Sequence, residues 1–304
     1  MDRLEAMTTL LAVVEAGSLS AASRRLGTPL ATVSRRISDL EAHLKTQLLN
    51  RSSRHLTLTD AGQAYLQACR RILDDVEEAE RVASGEYRVP KGELTVTAPM
   101  VLGRLQVVPI AAAFLKAYPD VALRLRLSNR VLGLQEEHVD IGVRIGELPD
   151  SGIVARRVGA IRRVVCASPE YLAARGRPER PDELGGHDCV TFNGFMRPDS
   201  WDFVTGGSRT VVPVQSRLTI DAGDAVVDAG LAGLGVICVF SYQVAAAIRE
   251  GKLLVLLETF EPPPLPVNIV YLGGGLLPLK VRAFLDFAAP RLKARLAMDV
   301  TNGQ

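Results

Sequence analysis

Two adjacent arginines and several small hydroxyl residues stand between residues 30 and 44, in a stretch with the spacing of an amphipathic helix. Apolar residues that recur every three or four positions predict one buried face: Leu30, Val33, Ile37, Leu40 and Leu44. The residues that fall largely on the opposite face are Thr32, Ser34, Arg35, Arg36 and Asp39. Such a face suits a DNA major groove, where arginines engage guanine or phosphate. A solvated charged face on an ordinary core helix is the alternative.

A shorter helix is predicted directly before this one, and the two form a helix-turn-helix. Ser18 or Ser20 can cap its start, and Gly27 can end it in the left-handed conformation. Thr28 is expected to cap the following helix, with Pro29 at the first helical position, where a missing N–H does no harm. The turn between the two helices is therefore predicted to be tight.

The net charge of this part of the chain favours contact with nucleic acid. Between residues 24 and 59 there are seven Lys or Arg and two Asp or Glu, whereas the whole chain has a net charge of only +2. A local excess of positive charge is the electrostatic requirement for phosphate binding. Any nucleic-acid site is therefore expected to lie in this segment.

The stretch after the second helix predicts a small β-wing. Leu56, Thr57 and Leu58 alternate in polarity after a short polar turn, which puts Arg51 and Arg54 near the tip. The segment as a whole is predicted to be a winged helix-turn-helix. The residues expected to contact DNA are Ser18, Ser20, Pro29, Leu30, Ala31, Thr32, Ser34, Arg35, Arg36, Arg51, Ser52, Ser53 and Arg54.

Residues 1–62 resemble the amino-terminal domain of LysR-type transcriptional regulators. The matching elements occur in the family's order, at 10–22, 33–37, 40–41, 49–51 and 58–62. Two departures stand out: Pro29-Leu30-Ala31 replaces the family's frequent Ser-Gln-Pro, and Lys45 replaces a helix-ending glycine. The resemblance implies a domain that binds promoter DNA, and the first departure bears on which bases it contacts.

One long helix is predicted from 60 to about 83, because no proline or helix-breaking cluster follows Gly62. Steps of four and three define a heptad seam: Tyr65, Cys69, Ile72, Val76, Ala79 and Ala83. Since one helix cannot cover such a stripe, the first five are expected to contact the same helix of a second subunit. Packing on the chain's own C-terminal domain is the alternative. The resemblance favours the dimer, because LysR-type proteins use this helix to dimerise.

A hinge rich in glycine and proline, at 84–92, leads into alternating β-rich and helical stretches. Strands are expected at 94–97, 121–127, 140–145, 163–168, 189–192, 219–221, 236–240 and 267–272, with an antiparallel insertion at 201–203 and 210–214. Helices are expected at 105–118, 132–138, 169–175, 222–231, from 240 to 249, and at 280–295. This rhythm predicts a mainly parallel sheet with helices on both faces.

Residues 92–295 resemble the effector domain of the same family, a type 2 periplasmic-binding-protein fold of two α/β lobes. The supporting stretches are 92–99, 139–146, 164–169 and 230–235, and crossovers between the lobes are expected near 161–163 and 265–267. The predicted organisation is multidomain, with an all-α winged helix-turn-helix and a two-lobed α/β domain joined by a linker helix. Its boundaries are 1–59 for DNA binding, 60–91 for the linker helix and hinge, and 92–304 for effector binding, with lobe I at 92–161 and 267–304 and lobe II at 162–266.

An effector site is predicted where the strands of the two lobes end, because helix N-termini offer free N–H groups there. The loops at these ends contain a cation, hydroxyl and amide groups, and aromatic rings, which suit a small carboxylate or an aromatic molecule. The predicted site residues are Thr97, Pro99, Met100, Val101, Ser128, Asn129, Arg144, Gly146, Phe192, Asn193 and Phe240. For Arg144, an ion pair with Asp140 or Glu147 is the alternative.

Other classes of function find little support. No nucleophile elbow, P-loop or dinucleotide fingerprint occurs, and the four histidines lack metal-ligand spacing, so no enzyme activity, cofactor or metal is expected. The start of the chain lacks the layout of a signal peptide, and the longest apolar stretch, 231–248, contains glycines and polar residues. A cytoplasmic protein without a membrane span is predicted. Four cysteines without paired spacing are expected to be core residues: Cys69, Cys166, Cys189 and Cys238.

These features predict a homodimeric or homotetrameric LysR-type regulator that binds a pseudo-palindromic promoter site and responds to a small-molecule effector in its C-terminal cleft. The expected partners are promoter DNA, other copies of the chain, the effector and RNA polymerase. Two alternatives stay open, an α/β enzyme and a solute-binding protein, each carrying a DNA-binding head. The first would need a nucleophile–base pair and the second a signal for export.

Overall fold

A computed structural model of the chain describes residues 2–51, 56–84, 89–130, 133–134, 137, 139–148, 152–194, 199–273 and 277–301. The chain divides into two units, Met1–Arg88 and Val89–Gln304. Each unit has its own hydrophobic core. The cysteines are free and buried, which confirms them as core residues: Cys69, Cys166, Cys189 and Cys238.

The N-terminal unit is a helix-turn-helix followed by a two-stranded wing and a long helix. Its elements are α1 Arg3–Ala16, α2 Leu19–Leu26, α3 Leu30–Leu44, β1 Leu49–Arg51, β2 Leu56–Leu58 and α4 Asp60–Ser84. Ser18 caps α2 by accepting a hydrogen bond from the Ala21 N–H, and Gly27 ends that helix with φ of 61°. Both predictions for α2 are confirmed. β1 and β2 pair antiparallel, as a wing requires.

The start of α3 lies one residue later than predicted. Pro29, not Thr28, is the N-cap residue, and α3 begins at Leu30. Thr28 instead belongs to the end of α2, because its N–H donates to the Ser23 carbonyl at 3.1 Å. The carbonyl of Pro29 then accepts the first helical hydrogen bonds, from Thr32 and Val33. Because proline lacks an N–H, no backbone donor is left without a hydrogen bond at this position.

The predicted buried face of α3 is confirmed except at its first residue. Val33, Ile37 and Leu40 are fully buried in the core of the N-terminal unit. Leu30 is 48% exposed, so its prediction as a core residue was wrong. Leu30 is exposed because it is the first residue of α3 and has no preceding helical turn to pack against it. At the other end of α3, Lys45 adopts the left-handed conformation with φ of 53°, where the family usually has glycine.

Two contacts hold the wing and α4 against α3. One oxygen of the Glu41 carboxylate accepts hydrogen bonds from the N–H groups of Leu48 and Leu49, at 2.8 and 3.1 Å. Gly62, in the first turn of α4, lies so close to the Leu48 carbonyl that a Cβ at this position would overlap its oxygen. The glycine of the 58–62 element is therefore required by packing rather than by its backbone conformation.

The C-terminal unit contains two five-stranded sheets, one in each lobe. Its strands are β3 Gly92–Ala98, β4 Val121–Leu127, β5 Ile141–Ile145, β6 Ile153–Ile161, β7 Arg163–Ala167, β8 Cys189–Phe192, β9 Ser200–Thr205, β10 Ser208–Pro213, β11 Ser216–Ile220, β12 Val236–Phe240, β13 Leu254–Leu256 and β14 Leu265–Leu272. Its helices are α5 Met100–Leu102, α6 Val108–Ala117, α7 Pro169–Arg175, α8 Gly223–Leu231, α9 Ser241–Arg249 and α10 Leu279–Thr301. The strand orders are β4-β3-β5-β14-β6 in lobe I and β11-β8-β12-β7-β13 in lobe II.

The sheets are mixed, and the prediction of mainly parallel sheets was wrong. In lobe I, β3 is parallel to β4 and β5, whereas β14 is antiparallel to β5 and β6. Lobe II repeats this pattern, with β7 antiparallel to β12 and β13. Strands joined by helices must run parallel, but a strand that enters from the other lobe is free of that constraint.

The chain passes between the lobes twice. β6 ends at Ile161 in lobe I, and β7 begins at Arg163 in lobe II, so a single residue joins them. The return lies between Leu256, the end of β13, and Leu265, the start of β14. Strands β6 and β13 were absent from the sequence prediction. β6 was not predicted because it is an edge strand whose centre is charged and exposed, so it lacks the apolar pattern of a buried strand.

The predicted helix at 105–118 begins earlier, at Met100, and includes a π-helical turn, Gly103–Val107, between α5 and α6. This run is long and apolar enough to cross a membrane, and so are α1 and α2 if taken as one bent span. It packs instead in the lobe I core, where the Phe114 ring lies 5.0 Å from the Phe284 ring of α10. The predicted helix at 132–138 lies mostly outside the described residues.

The lobe II sheet is covered by different elements on its two faces. One face packs against the β9–β10 hairpin through Trp201 and Phe203. The other packs against α8 and α9 through Val226 and Val244. The antiparallel insertion predicted at 201–203 and 210–214 is thereby confirmed, and Tyr171 of α7 packs on the same face of the sheet.

Candidate functional site

The face of α3 opposite its buried stripe is open to solvent. Ala31, Arg35 and Ser38, spaced by four and three residues, are exposed. Thr32 and Ser34 are half-buried at the border of this face. The structure therefore brings the predicted polar residues of α3 to one side, with small side chains around a central arginine.

The two adjacent arginines have different surroundings. The Arg36 guanidinium donates to the Glu5 carboxylate of α1 at 2.7 Å, and its side chain is only 28% exposed. Arg35 is exposed and forms no ion pair with any described residue. Arg36 thus connects α3 to α1, whereas the Arg35 guanidinium lies on the solvent-exposed face of α3.

The residues around the start of α3 extend this surface. Pro29 and Leu30 are exposed, and so is Ser20 in the first turn of α2. The Ser18 hydroxyl oxygen accepts the capping hydrogen bond of α2. Any contact of Ser18 with another molecule would have to use the hydroxyl hydrogen or the second lone pair of the oxygen. Arg24 is also exposed on α2 and was not among the predicted contacts, although its charge was counted in the basic segment.

The wing is only partly described. Asn50 of β1 is exposed, whereas Leu49 is buried in the core of the N-terminal unit. The backbone of Arg51 ends β1. Ser52, Ser53 and Arg54 lie outside the described residues, as does the Arg51 side chain.

The predicted seam of α4 is divided between two environments. Cys69 is fully buried with Leu66 in the core of the N-terminal unit, and burial raises the pKa of its thiol to about 11. Its prediction as a contact with a second subunit was therefore wrong. Tyr65 packs at the edge of the same core. Ile72 is 40% exposed on the later part of the helix.

A cleft lies between lobe I and lobe II. Its walls come from the ends of β3, β4, β8 and β12 and from the starts of α8 and α9. This is the edge at which ligands of α/β sheets bind. The lining residues are Pro99, Val101, Asn129, Phe192, Gly223, Val239, Phe240, Tyr242 and Gln243.

Five of the predicted effector residues line this cleft, and six do not. Those that line it are Pro99, Val101, Asn129, Phe192 and Phe240. Those that do not are Thr97, Met100, Ser128, Arg144, Gly146 and Asn193. The Thr97 hydroxyl donates to the Arg126 carbonyl at 2.9 Å, and the Gly146 N–H donates to the Pro266 carbonyl at 2.8 Å. These groups are thus used within lobe I.

Arg144 is the main departure from the predicted site. It lies on β5 beside Gly142, and only 9% of it is exposed. Burial lowers the pKa of its guanidinium. Side chains alternate along a strand, so Gly142 and Arg144 face away from the core face that holds Ile141 and Val143. The Arg144 side chain, which was predicted to be the cation of the effector site, is therefore buried against the lobe I sheet and does not line the cleft.

Four lining residues were missed: Gly223, Val239, Tyr242 and Gln243. Gly223 and Gln243 stand at the starts of helices that follow strands, so the rule that found Pro99 could have found them. Tyr242 is only 6% exposed and packs in the lobe I core, and burial raises the pKa of its phenol. No group of residues able to hold a metal ion occurs among the described residues.

The comparisons with known proteins agree with this architecture. Residues 4–63 match the bacterial regulatory helix-turn-helix protein, lysR family, and residues 88–293 match the LysR substrate binding domain. A DNA-binding helix-turn-helix joined to a two-lobed ligand-binding domain defines a ligand-responsive transcriptional regulator. The chain belongs to the LysR family of such regulators, which confirms the resemblance seen in its sequence.

Several relatives align over nearly the whole chain. An HTH-type transcriptional repressor of Pseudomonas aeruginosa is 37% identical over 289 residues, covering 94% of this chain and 91% of the relative. The HTH-type transcriptional regulator CrgA of Neisseria meningitidis is 38% identical over 293 residues, covering 95% and 96%. The solved structure of CrgA superimposes with a TM-score of 0.62 at 35% identity, covering 95% of this chain and 98% of CrgA. That of the Vibrio cholerae virulence activator AphB gives 0.61 at 29% identity, covering 94% and 98%.

Proposed function

We propose that this LysR-type regulator acts in the cytoplasm as a homo-oligomer that binds a pseudo-palindromic promoter site and senses a small molecule in its cleft. The observation that carries the DNA-binding half is the α3 surface around Arg35. It is exposed and cationic, and it lies opposite a fully buried stripe. A helix held in this way can enter a major groove without disturbing its own domain.

Contacts to bases and contacts to phosphates have different sources in this proposal. Arg35 reads a base edge, and the exposed Leu30 and Ala31 pack against thymine methyl groups. The wing arginines Arg51 and Arg54 neutralise phosphates, which strengthens binding without selecting a sequence. The remaining predicted contacts of α2 and α3 orient the domain on the duplex.

Dimerisation is assigned to the later part of α4. Ile72, Val76 and Ala79 follow heptad spacing, and Ile72 and Ala79 are exposed within the chain. Two such helices packed together would hold two copies of α3 about one DNA turn, or a multiple of it, apart. A tetramer would follow from the pairing of two dimers on the same promoter.

Sensing is assigned to a shift between open and closed arrangements of the two lobes. Both lobes line the cleft, so a ligand that contacts both favours the closed arrangement by the difference in its affinity for the two states. Closure then changes how dimers pair and how the bound DNA is spaced or bent. RNA polymerase at the promoter is the partner that would respond to this change.

The experiment that tests the proposal is selection of genomic fragments bound by the purified chain, followed by footprinting of the selected sites. We expect fragments with two related half-sites, protected over adjacent major grooves. Indifference to every duplex at moderate ionic strength would contradict the DNA-binding half. Extracts of metabolites that leave the footprint, the bend and transcription unchanged would contradict the sensing half.

A further inference from the structure

The cleft is lined by apolar groups and two carboxamides. Of the described residues that line it, none is charged. Aromatic rings of Phe192, Phe240 and Tyr242 supply much of the wall, and the polar side-chain groups that line it besides the Tyr242 hydroxyl are the amides of Asn129 and Gln243. Specificity in an apolar site rests on its few polar groups, because these must find partners when a ligand displaces water.

The orientation of the Gln243 amide is set by the backbone. Its Oε1 accepts a hydrogen bond from the Phe240 N–H at 2.8 Å. Because only the oxygen of the amide can accept this bond, the oxygen faces Phe240 and the nitrogen faces the opposite way. Its Nε2 points instead towards Gly223, where an added Cβ would lie 2.8 Å away. Among the described residues, none accepts a hydrogen bond from this nitrogen. Gln243 therefore presents N–H donors from lobe II.

Asn129 has the matching arrangement in lobe I. Its Oδ1 accepts from the Met100 N–H at 3.4 Å, which directs its nitrogen towards lobe II. There Nδ2 lies 3.5 Å from the Asp221 carbonyl, at the outer limit of a hydrogen bond. A better acceptor in the cleft could replace this long contact. The two lobes thus each present one amide donor group.

The charged side chains around the cleft do not favour an anion. Asp224 follows Gly223 at the start of α8 and pairs with Arg104 at 3.6 Å, so the charge of that arginine is already offset. Arg144, the predicted partner of a carboxylate, is buried on β5 and does not line the cleft. An ionised carboxylate in this site would lose its hydration without gaining a cation among the described residues.

We infer, on the basis of the proposed sensing function, that the effector is an uncharged, largely apolar molecule with a carbonyl-type oxygen. That oxygen accepts hydrogen bonds from Gln243 Nε2 and Asn129 Nδ2, and the apolar body packs against Phe192 and Phe240. Because the two donors belong to different lobes, one small acceptor group connects the lobes. Gly223 leaves the space in which the Gln243 nitrogen and the ligand meet.

Two isosteric substitutions separate the donor role from the structural role. Gln243→Glu and Asn129→Asp keep the oxygens that accept the Phe240 and Met100 N–H groups but remove the N–H donors. Gln215→Glu is the matched control, because the same chemical change is made at an exposed position of lobe II that does not line the cleft. Thermal unfolding of each variant verifies that the fold is kept.

The probes are benzamide and methyl benzoate, which are neutral, and benzoate, which has the same ring with a charged acceptor. Binding to the full-length protein is measured by calorimetry. We expect both neutral probes to bind more tightly than benzoate. Gln243→Glu and Asn129→Asp should each raise the Kd of the neutral probes about three- to tenfold, the effect of losing one hydrogen bond, and Gln215→Glu should not.

Tighter binding of benzoate, or neutral binding that survives both substitutions, would overturn the inference. Binding of neither class of probe would also overturn it. A different result would contradict the proposed sensing function. If the neutral probes bind as expected but the footprint on a selected promoter stays unchanged at saturation, the sensing role is contradicted and the ligand class stands.

Discussion

Arg35 and Arg36 are adjacent in the chain, but of the two only Arg36 forms an ion pair with a described residue. The Glu5 carboxylate neutralises Arg36 and holds it against α1, whereas Arg35 projects from the exposed face of α3. A groove-facing role requires donors that are not already in use. The two residues are therefore expected to differ sharply when each is replaced by alanine.

Arg35→Ala should weaken binding to a selected promoter by about 1–3 kcal/mol and relax the preference for one base pair, as expected for lost base contact. Arg36→Ala should lower the free energy of unfolding instead, with a smaller and less sequence-dependent loss of affinity. Gel-shift titrations on matched and single-base-variant duplexes measure the first effect, and urea unfolding measures the second. Equal effects of both substitutions on base preference would contradict this assignment.

Glu261 stands where the chain returns from lobe II to lobe I. Its carboxylate lies 3.1 Å from the Arg162 Nε at the other crossover, and its side chain is only 12% exposed. Burial raises its pKa to about 7, against the opposing effect of Arg162. The folded state therefore binds more protons than the unfolded state between the ordinary carboxyl pKa and about 7.

The contribution of Glu261 to stability is accordingly present at low pH and lost as the pH rises to about 7. Glu261→Gln should remove this dependence, so the free energy of unfolding of the variant should fall less than that of the parent from pH 5 to about 8. Glu258→Gln removes an exposed carboxylate whose charge raises the Glu261 pKa less than burial does, so it should reduce the slope without abolishing it. Urea unfolding at each pH measures the difference, and parallel curves for parent and Glu261→Gln would refute it.

At the scale of elements, α4 changes partner along its length. Its first part contributes Leu66 and Cys69 to the core of the N-terminal unit. Its later part leaves Ile72 exposed on a continuing heptad stripe. A single amphipathic pattern thus continues from a buried surface to an exposed one, and the exposed part is the proposed dimer interface.

Ile72→Glu should dissociate the dimer, because like charges would face each other across the seam and apolar burial would be lost. Gln67→Glu is the control, since it adds the same charge at an exposed position off the stripe. Light scattering with detection of molar mass measures the assembly. An intact dimer in Ile72→Glu would rule out this part of α4 as the interface.

At the scale of the whole molecule, each of the two units has a hydrophobic core built from its own described residues. Each is large enough to be stable through its own buried residues. Residues 89–304 are therefore expected to fold without the N-terminal unit.

The single tryptophan, Trp201, makes this testable, because it is buried in lobe II and reports only on the C-terminal unit. Thermal unfolding is followed by the fluorescence of this tryptophan. The midpoint measured for residues 89–304 alone should lie within about 3 °C of the midpoint measured for the full chain. A non-cooperative transition, or a midpoint lower by about 10 °C, would show that the units depend on each other.

Sequence alone determined the features that depend on neighbouring residues. The cap at Ser18, the end of α2 at Gly27 and the buried stripe of α3 follow from local spacing, and the ordered motifs of residues 1–62 identified the family. The strand ends that line the cleft were found by a general rule of α/β sheets, which is why Pro99, Asn129 and Phe240 were predicted correctly as lining residues.

Only the tertiary structure decided which of these groups are free to act. Glu5 and Arg36 are 31 positions apart, so no local pattern could show that one neutralises the other. The position of Arg144, the antiparallel strands and the approach of Gln243 to Gly223 likewise depend on where distant segments meet. Local spacing specifies the face on which a side chain lies, whereas its partners are fixed only when the chain brings remote elements together.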